Sequence, residues 1–175
     1  MKRIPVLVGV GQRVVHEMGS EEGTSPLSLA VGACQAAIAD SGAKTDAMAA
    51  AIDTLAFVRL NSDSIPTLSG PFGIYGNLPR LVARQIGADP AHAILSVVGG
   101  QSPQQLVNEM CNRISEGTSQ VALLTGSEAI GAMKAAMRAG ETLQWNDQAE
   151  GQLEDLGDGQ GGQADGPRRG DVDVG

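Results

Sequence analysis

The chain has 175 residues, a formal net charge of −8 and an aromatic content of 2%. That length suits one core-bearing domain, with a core of Ala, Val, Leu, Ile and Met because Phe57, Phe72, Tyr75 and Trp145 are the whole aromatic set. No basic cluster exceeds the pair Arg168-Arg169, which excludes nucleic acid as a partner, and no apolar run is long enough to span a bilayer. The opening residues lead into a strand-like run and not a signal-peptide core, so the expectation is a cytoplasmic protein without a membrane partner. Cys34 and Cys111 have neither the number nor the spacing of a disulfide framework or a metal site, and are read as buried, reduced thiols.

In chain order, Pro5-Val6-Leu7-Val8-Gly9-Val10-Gly11 is expected to form a first strand. Its Gly9-x-Gly11 is a poor dinucleotide fingerprint: a third glycine would fall at Val14, and the polar residues 13–24 intervene before any helix. The first helix is opened by Ser25 as cap and Pro26 at its first position. Leu27, Ala30, Val31, Cys34, Ala37 and Ile38 then recur at helical spacing up to Gly42. Residues 52–58 read as a second strand. The loop 61–76 is longer than most internal connections and is expected to border a pocket. Leu78, Leu81, Val82 and Ile86 mark the next helix, stopped by Gly87.

The stretch from Ala93 to Glu128 organises the rest. A buried strand reaches Gly99-Gly100 and a helix opens at Ser102-Pro103 with the stripe Leu106, Val107, Met110 and Ile114. A second strand then runs to Gly126-Ser127-Glu128. This βαβ pattern predicts a parallel sheet with helices on its faces. A further helix runs to about Arg138. From Asp147 apolar residues thin out and glycines crowd together, which divides the chain into a folded domain, 1–145, and a disordered tail, 146–175.

Ser102 is the first candidate for chemistry, since it follows a strand and begins a helix, where unpaired N–H groups collect. Two readings stay open. Gly100-Gln101-Ser102-Pro103-Gln104 partly resembles a hydrolase nucleophile elbow, but no histidine follows His92 to act as base. Ser102 with Gln105 also reads as a capping box. His16 and His92, the whole imidazole set, have no carboxylate or nucleophile placed beside them by sequence. Asp53 starts a strand and Glu128 ends one, at the carboxyl edge where α/β sites gather.

Residues 5–140 resemble the N-terminal half of the thiolases, particularly acetyl-CoA acetyltransferase-like members of the sterol-carrier type. The resemblance is carried by the opening run to Gly11, the helix from Leu27 to Gly42, Ile52-Asp53 and above all residues 78–128. It implies a βαβαβαββ half that joins a second, similar half around a site for acyl-CoA, used as substrate with no bound cofactor. The family keeps a cysteine, followed by two small residues and glycine, where this chain has Ser102, Pro103, Gln104 and Gln105. A hydroxyl is far less ionised than a thiol near neutral pH, and the family's other catalytic groups lie in the second half. The expectation is therefore an inactive half, apparently truncated and ending in a tail from a shifted reading frame or shortened gene model. Either a homo-oligomer or a partner second half would complete it, and the alternative is a non-catalytic acyl-CoA-binding or scaffold half.

Overall fold

The structure is a computed structural model that describes residues 3–15, 24–64 and 73–157. Helix α1, Pro26–Asp40, starts where the Ser25 hydroxyl accepts from the Ser28 N–H at 3.1 Å and proline fills the first turn. A short helix, α2, Thr45–Ala51, leads into strand β1, Thr54–Phe57. After a 3₁₀ turn at Asn61–Ser64 come β2, Tyr75–Gly76, and α3, Leu78–Ile86. Asn77 caps α3 from the left-handed region (φ 54°), with its side chain accepting from the Arg80 N–H. Then follow β3, His92–Leu95, α4, Ser102–Glu116, β4, Ala122–Thr125, and α5, Ile130–Ala139. Two short strands, β5, Asp147–Gln148, and β6, Glu154–Asp155, come last.

The main sheet runs in the order β4-β1-β3-β6 and is parallel throughout, with Leu55 opposite both Ala93 and Leu123. Successive side chains on a strand point to opposite faces, and here each face meets helices. Leu55, Phe57 and Leu95 join a cluster with Leu27, Val31 and Cys34 of α1 and Leu81 and Val82 of α3. Ala56 and Ile94 point the other way, onto Leu106 and Met110 of α4. The βαβ reading of the chain therefore holds, as does the α/β class with helices on both faces.

Two segments depart from the sequence reading. Residues 5–11 form no strand: they lie against α1, where the Val10 N–H bonds Asp40, with Ile4, Val6, Leu7, Val8 and Val10 exposed, and among the described residues no strand pairs with them. The expectation of disorder from Asp147 onward does not hold for residues 147–157. There β5 pairs with β2, and β6 adds to the sheet beside β3. Leu153 packs against the larger core cluster, and Asp155 forms an ion pair with Arg59, so a few well-placed contacts order a segment of low hydropathy. Residues 158–175 lie outside the described residues.

Candidate functional site

The carboxyl ends of β1, β3 and β4 converge on the turn that carries Ser102. Gln101, not Ser102, occupies the cap position of α4, and Ser102 and Pro103 form its first turn. No side chain caps that end of the helix, so the capping-box reading of Ser102 with Gln105 does not hold. The Ser102 N–H bonds the Gly99 carbonyl at 3.0 Å, and its hydroxyl donates to the Val97 carbonyl at 2.7 Å. The residue is fully buried. Its side chain therefore closes the strand-to-helix turn, and its proton is already given to a backbone oxygen.

His92 lies at the other end of β3. Its Nδ1 sits 2.7 Å from Glu154 Oε1, in a surface network with Arg113. His16 lies outside the described residues. Asp53 is also far from the turn. Its carboxylate accepts from the Ser119 hydroxyl (2.6 Å), the Thr54 hydroxyl (2.8 Å) and the N–H groups of Gln120 (2.6 Å) and Val121 (3.3 Å). Burial opposes its ionisation, but these four donors together outweigh burial and hold the carboxyl below its ordinary range. Asp53 pins the start of β4 to the start of β1.

Glu128 is the carboxylate that the fold does bring to the carboxyl edge. It accepts from the Asn61 N–H at 2.6 Å, tying the end of β4 to the loop after β1. Burial raises its pKa, the Asn61 N–H works against that, and the nearby charge of Asp63 adds to the rise. Arg59, close by, is committed: its Nε donates to the Ser96 carbonyl at 2.8 Å, and its guanidinium pairs with Asp155. Ser127 likewise gives its hydroxyl proton to the Pro26 carbonyl at 2.7 Å.

Glu128 stands at one end of a cavity of about 850 Å³ that sequence reasoning missed. Residues 5–11 form one wall and β4 the opposite one, with α1 and α4 above and below. The sequence carried a signal for it in the apolar run 5–10, whose side chains stay largely exposed where those of a sheet strand would be covered. Among the described residues no group of His, Cys, Asp and Glu could hold a metal ion, and no helix is long and apolar enough to cross a membrane.

No family model matches the chain, and none of the curated proteins searched does. Among solved structures, it is similar to a monomeric SCP2-thiolase-like protein, type 1, from Mycobacterium smegmatis, with 45% sequence identity and a TM-score of 0.52. The match covers 68% of this chain and 22% of that one, so the chain spans about a fifth of that relative's length. Identity at that level, over a parallel sheet sandwiched between helices, is a likeness of sequence as well as of fold: over the part it shares with that relative, the chain belongs to the thiolase-like proteins.

Proposed function

We propose that this chain is a thiolase-like unit that makes no covalent acyl intermediate of its own, and that it serves acyl-CoA chemistry by holding a thioester or a partner chain. The observation that carries the reading is the buried Ser102 hydroxyl, donated to the Val97 carbonyl. A serine attacks a thioester only when a base within hydrogen-bond reach takes its proton. The imidazole nearest in sequence among the described residues, His92, starts the strand whose far end leads to this turn; at about 3.3 Å per residue, the four steps to Ser96 already separate them by about 13 Å. Replacing the family's sulfur by oxygen also removes the ionisable nucleophile.

The test is direct. Purified protein is incubated with acetoacetyl-CoA plus coenzyme A, and separately with acetyl-CoA, with coenzyme A release followed by chromatography and acyl adducts by intact mass. Neither release nor adduct is expected, while turnover abolished by Ser102→Ala would overturn the reading.

A half that works with a partner chain is the form of this reading favoured by the cavity beside β4. Light scattering of the protein alone and mixed with a thiolase-like second half separates self-association from assembly with a partner. A heavier species only in the mixture supports the partner, and two non-interacting species rule it out.

A further inference from the structure

We infer that residues 147–157 are a removable strap, and that the arginine-lined groove they fill along the edge of β3 is a docking site for an acidic extended segment of another protein chain.

Charge and backbone hold the strap almost alone. In a chain of net charge −8, Arg59, Arg80, Arg84 and Arg113 converge on this one segment. Arg84 pairs with Asp147 at 2.8 Å, Arg80 Nε donates to the Gln152 carbonyl at 3.3 Å, Arg113 pairs with Glu154 at 2.7 Å, and Arg59 pairs with Asp155. The apolar share is small: Ala149 and Leu153 are partly buried against the larger core cluster, while Leu156 is exposed. The ladder to β3 is only two residues long. Surface ion pairs each contribute little net stability, and a segment with few buried apolar contacts opens without unfolding the rest.

The groove does not depend on the strap for its shape. Ser96 sets Arg59, its hydroxyl accepting from the Arg59 backbone N–H at 2.9 Å and its carbonyl from Nε at 2.8 Å. Arg80 Nη1 donates to the Pro90 carbonyl at 3.0 Å, and Arg113 Nε to Glu109 at 2.8 Å. Each of these guanidiniums is thus fixed on one side by the scaffold and presents its other side to the strap. The backbone of β3 is arranged alike. His92 N–H and Ser96 N–H bond the carbonyls of Asp53 and Phe57, so by strand alternation the groups of Ala93 and Leu95 turn outward. There the Leu95 carbonyl accepts from the Leu156 N–H at 2.9 Å. Lifting the strap leaves a sheet edge that invites another strand, flanked by positive charge.

That combination reads a peptide, because a ladder needs a backbone, and it reads an acidic one. Successive side chains on an added strand point to opposite faces: Leu153 packs into the cluster of α1 and α3, whereas Glu154 reaches Arg113 of α4. The groove therefore selects an apolar residue followed by two acidic ones, running parallel to β3, with a further carboxylate upstream for Arg84. Main-chain bonds supply affinity in such strand addition, and the side chains supply specificity.

The test uses the full 175-residue protein and a fluorescein-labelled peptide of residues 146–157, with binding read by anisotropy. The control peptide carries Asp147→Asn, Glu154→Gln and Asp155→Asn. The tethered strap competes, so the apparent affinity is the intrinsic one scaled by the fraction of molecules with an open groove. Loosening the strap in the protein with Glu154→Gln/Asp155→Asn is expected to tighten peptide binding about tenfold. Adding Arg59→Gln/Arg113→Gln to that variant should remove the gain, with the circular dichroism unchanged. Should the added pair unfold the chain, Arg113→Gln alone is added in its place and should lower the affinity severalfold. The control peptide should bind none of these proteins. A strap variant that binds no tighter than the parent overturns the proposal, as does a gain that survives loss of the arginines or equal binding of both peptides. So does a dimer of the parent protein in the ultracentrifuge that the peptide dissociates, which would assign the groove to the strap of a second copy. Neither coenzyme A release nor Ser102 enters these readouts, so the two proposals fail separately.

Discussion

Arg113 and Glu154 lie 2.7 Å apart and join the helix on one face of the sheet to its last described strand, 41 residues further along the chain. The other Glu154 oxygen meets His92 Nδ1, and Arg113 also holds Glu109 at 2.8 Å. The Arg113 hydrogen bond is the main cause that lowers the Glu154 pKa; burial opposes it and His92 assists. A carboxyl depressed in the folded state contributes stability that is present above its unfolded pKa of about 4.3 and is lost as pH falls through the folded value. The pair is partly exposed to solvent, so the contribution is below about 1 kcal/mol. Glu154→Gln is expected to lower the urea midpoint at pH 7 and to match the parent below pH 3. A difference that persists unchanged into acid would show that the carboxylate charge is not its source.

Asp53 is a larger stake. Its four donors include the Ser119 hydroxyl, which is buried, so removing the acceptor strands groups that water cannot reach. Asp53→Ala is expected to cost about 2–3 kcal/mol in chemical denaturation. Asp53→Asn, which keeps one acceptor oxygen, should cost less. Because this carboxyl is also held below its ordinary range, the parent's advantage is present at neutral pH and shrinks as pH falls through the folded value, below about 4. Equal stability of parent and Asp53→Ala at pH 7 would show that the network contributes nothing net.

Local pattern made most of this fold legible. Ser25-Pro26 and the recurrence from Leu27 to Ile38 announced α1, and the apolar runs around Leu55, Ile94 and Leu123 announced three neighbouring strands of one sheet. The failures have a common cause, because each depends on a neighbour distant in sequence. Residues 5–10 carry a strand's composition, but a strand exists only where something pairs with it. Residues 154–155 carry almost none of that composition, yet become a strand because Ile94 and Leu95 offer an edge and Arg59 and Arg113 offer charge. At the candidate site, sequence placed Ser102 correctly at the start of a helix. The direction of its hydroxyl, toward the Val97 carbonyl, is set by how tightly the Gly99-Gly100 turn folds back, which spacing alone does not encode.

The two cysteines should separate cleanly. Burial raises the Cys34 pKa, against a lowering by the Thr125 side chain, so both its access and its thiolate fraction are reduced. Cys111 is partly exposed toward the cavity. A disulfide reagent is expected to titrate one thiol in the native protein at pH 8 and two after denaturation, with Cys111→Ser removing the native reaction. Two fast thiols in the native state would show that the α1 face opens readily.

The wall formed by residues 3–15 is held by shape. A Cβ added at Gly11 would come within 2.1 Å of the Ala33 carbonyl oxygen and 2.4 Å of the Ala37 nitrogen, and one at Gly9 within 2.3 Å of the Ala37 oxygen. These are backbone atoms of a helix packed on the sheet, so α1 cannot yield and the segment must lift away. Gly11→Ala is therefore expected to expose the bond after Arg13 to trypsin about tenfold faster, a local opening that leaves the core intact. Global stability should change by less than about 1 kcal/mol, since Val6, Leu7 and Val10 are already exposed and their release uncovers little apolar surface. Gly100→Ala is the control, because an added Cβ there meets nothing within 4 Å. Should Gly11→Ala cleave no faster than the parent and Gly100→Ala, the segment is not held against α1 by close approach. Should Gly11→Ala instead lose several kcal/mol of global stability, residues 3–15 belong to the core and not to the rim of an open cavity.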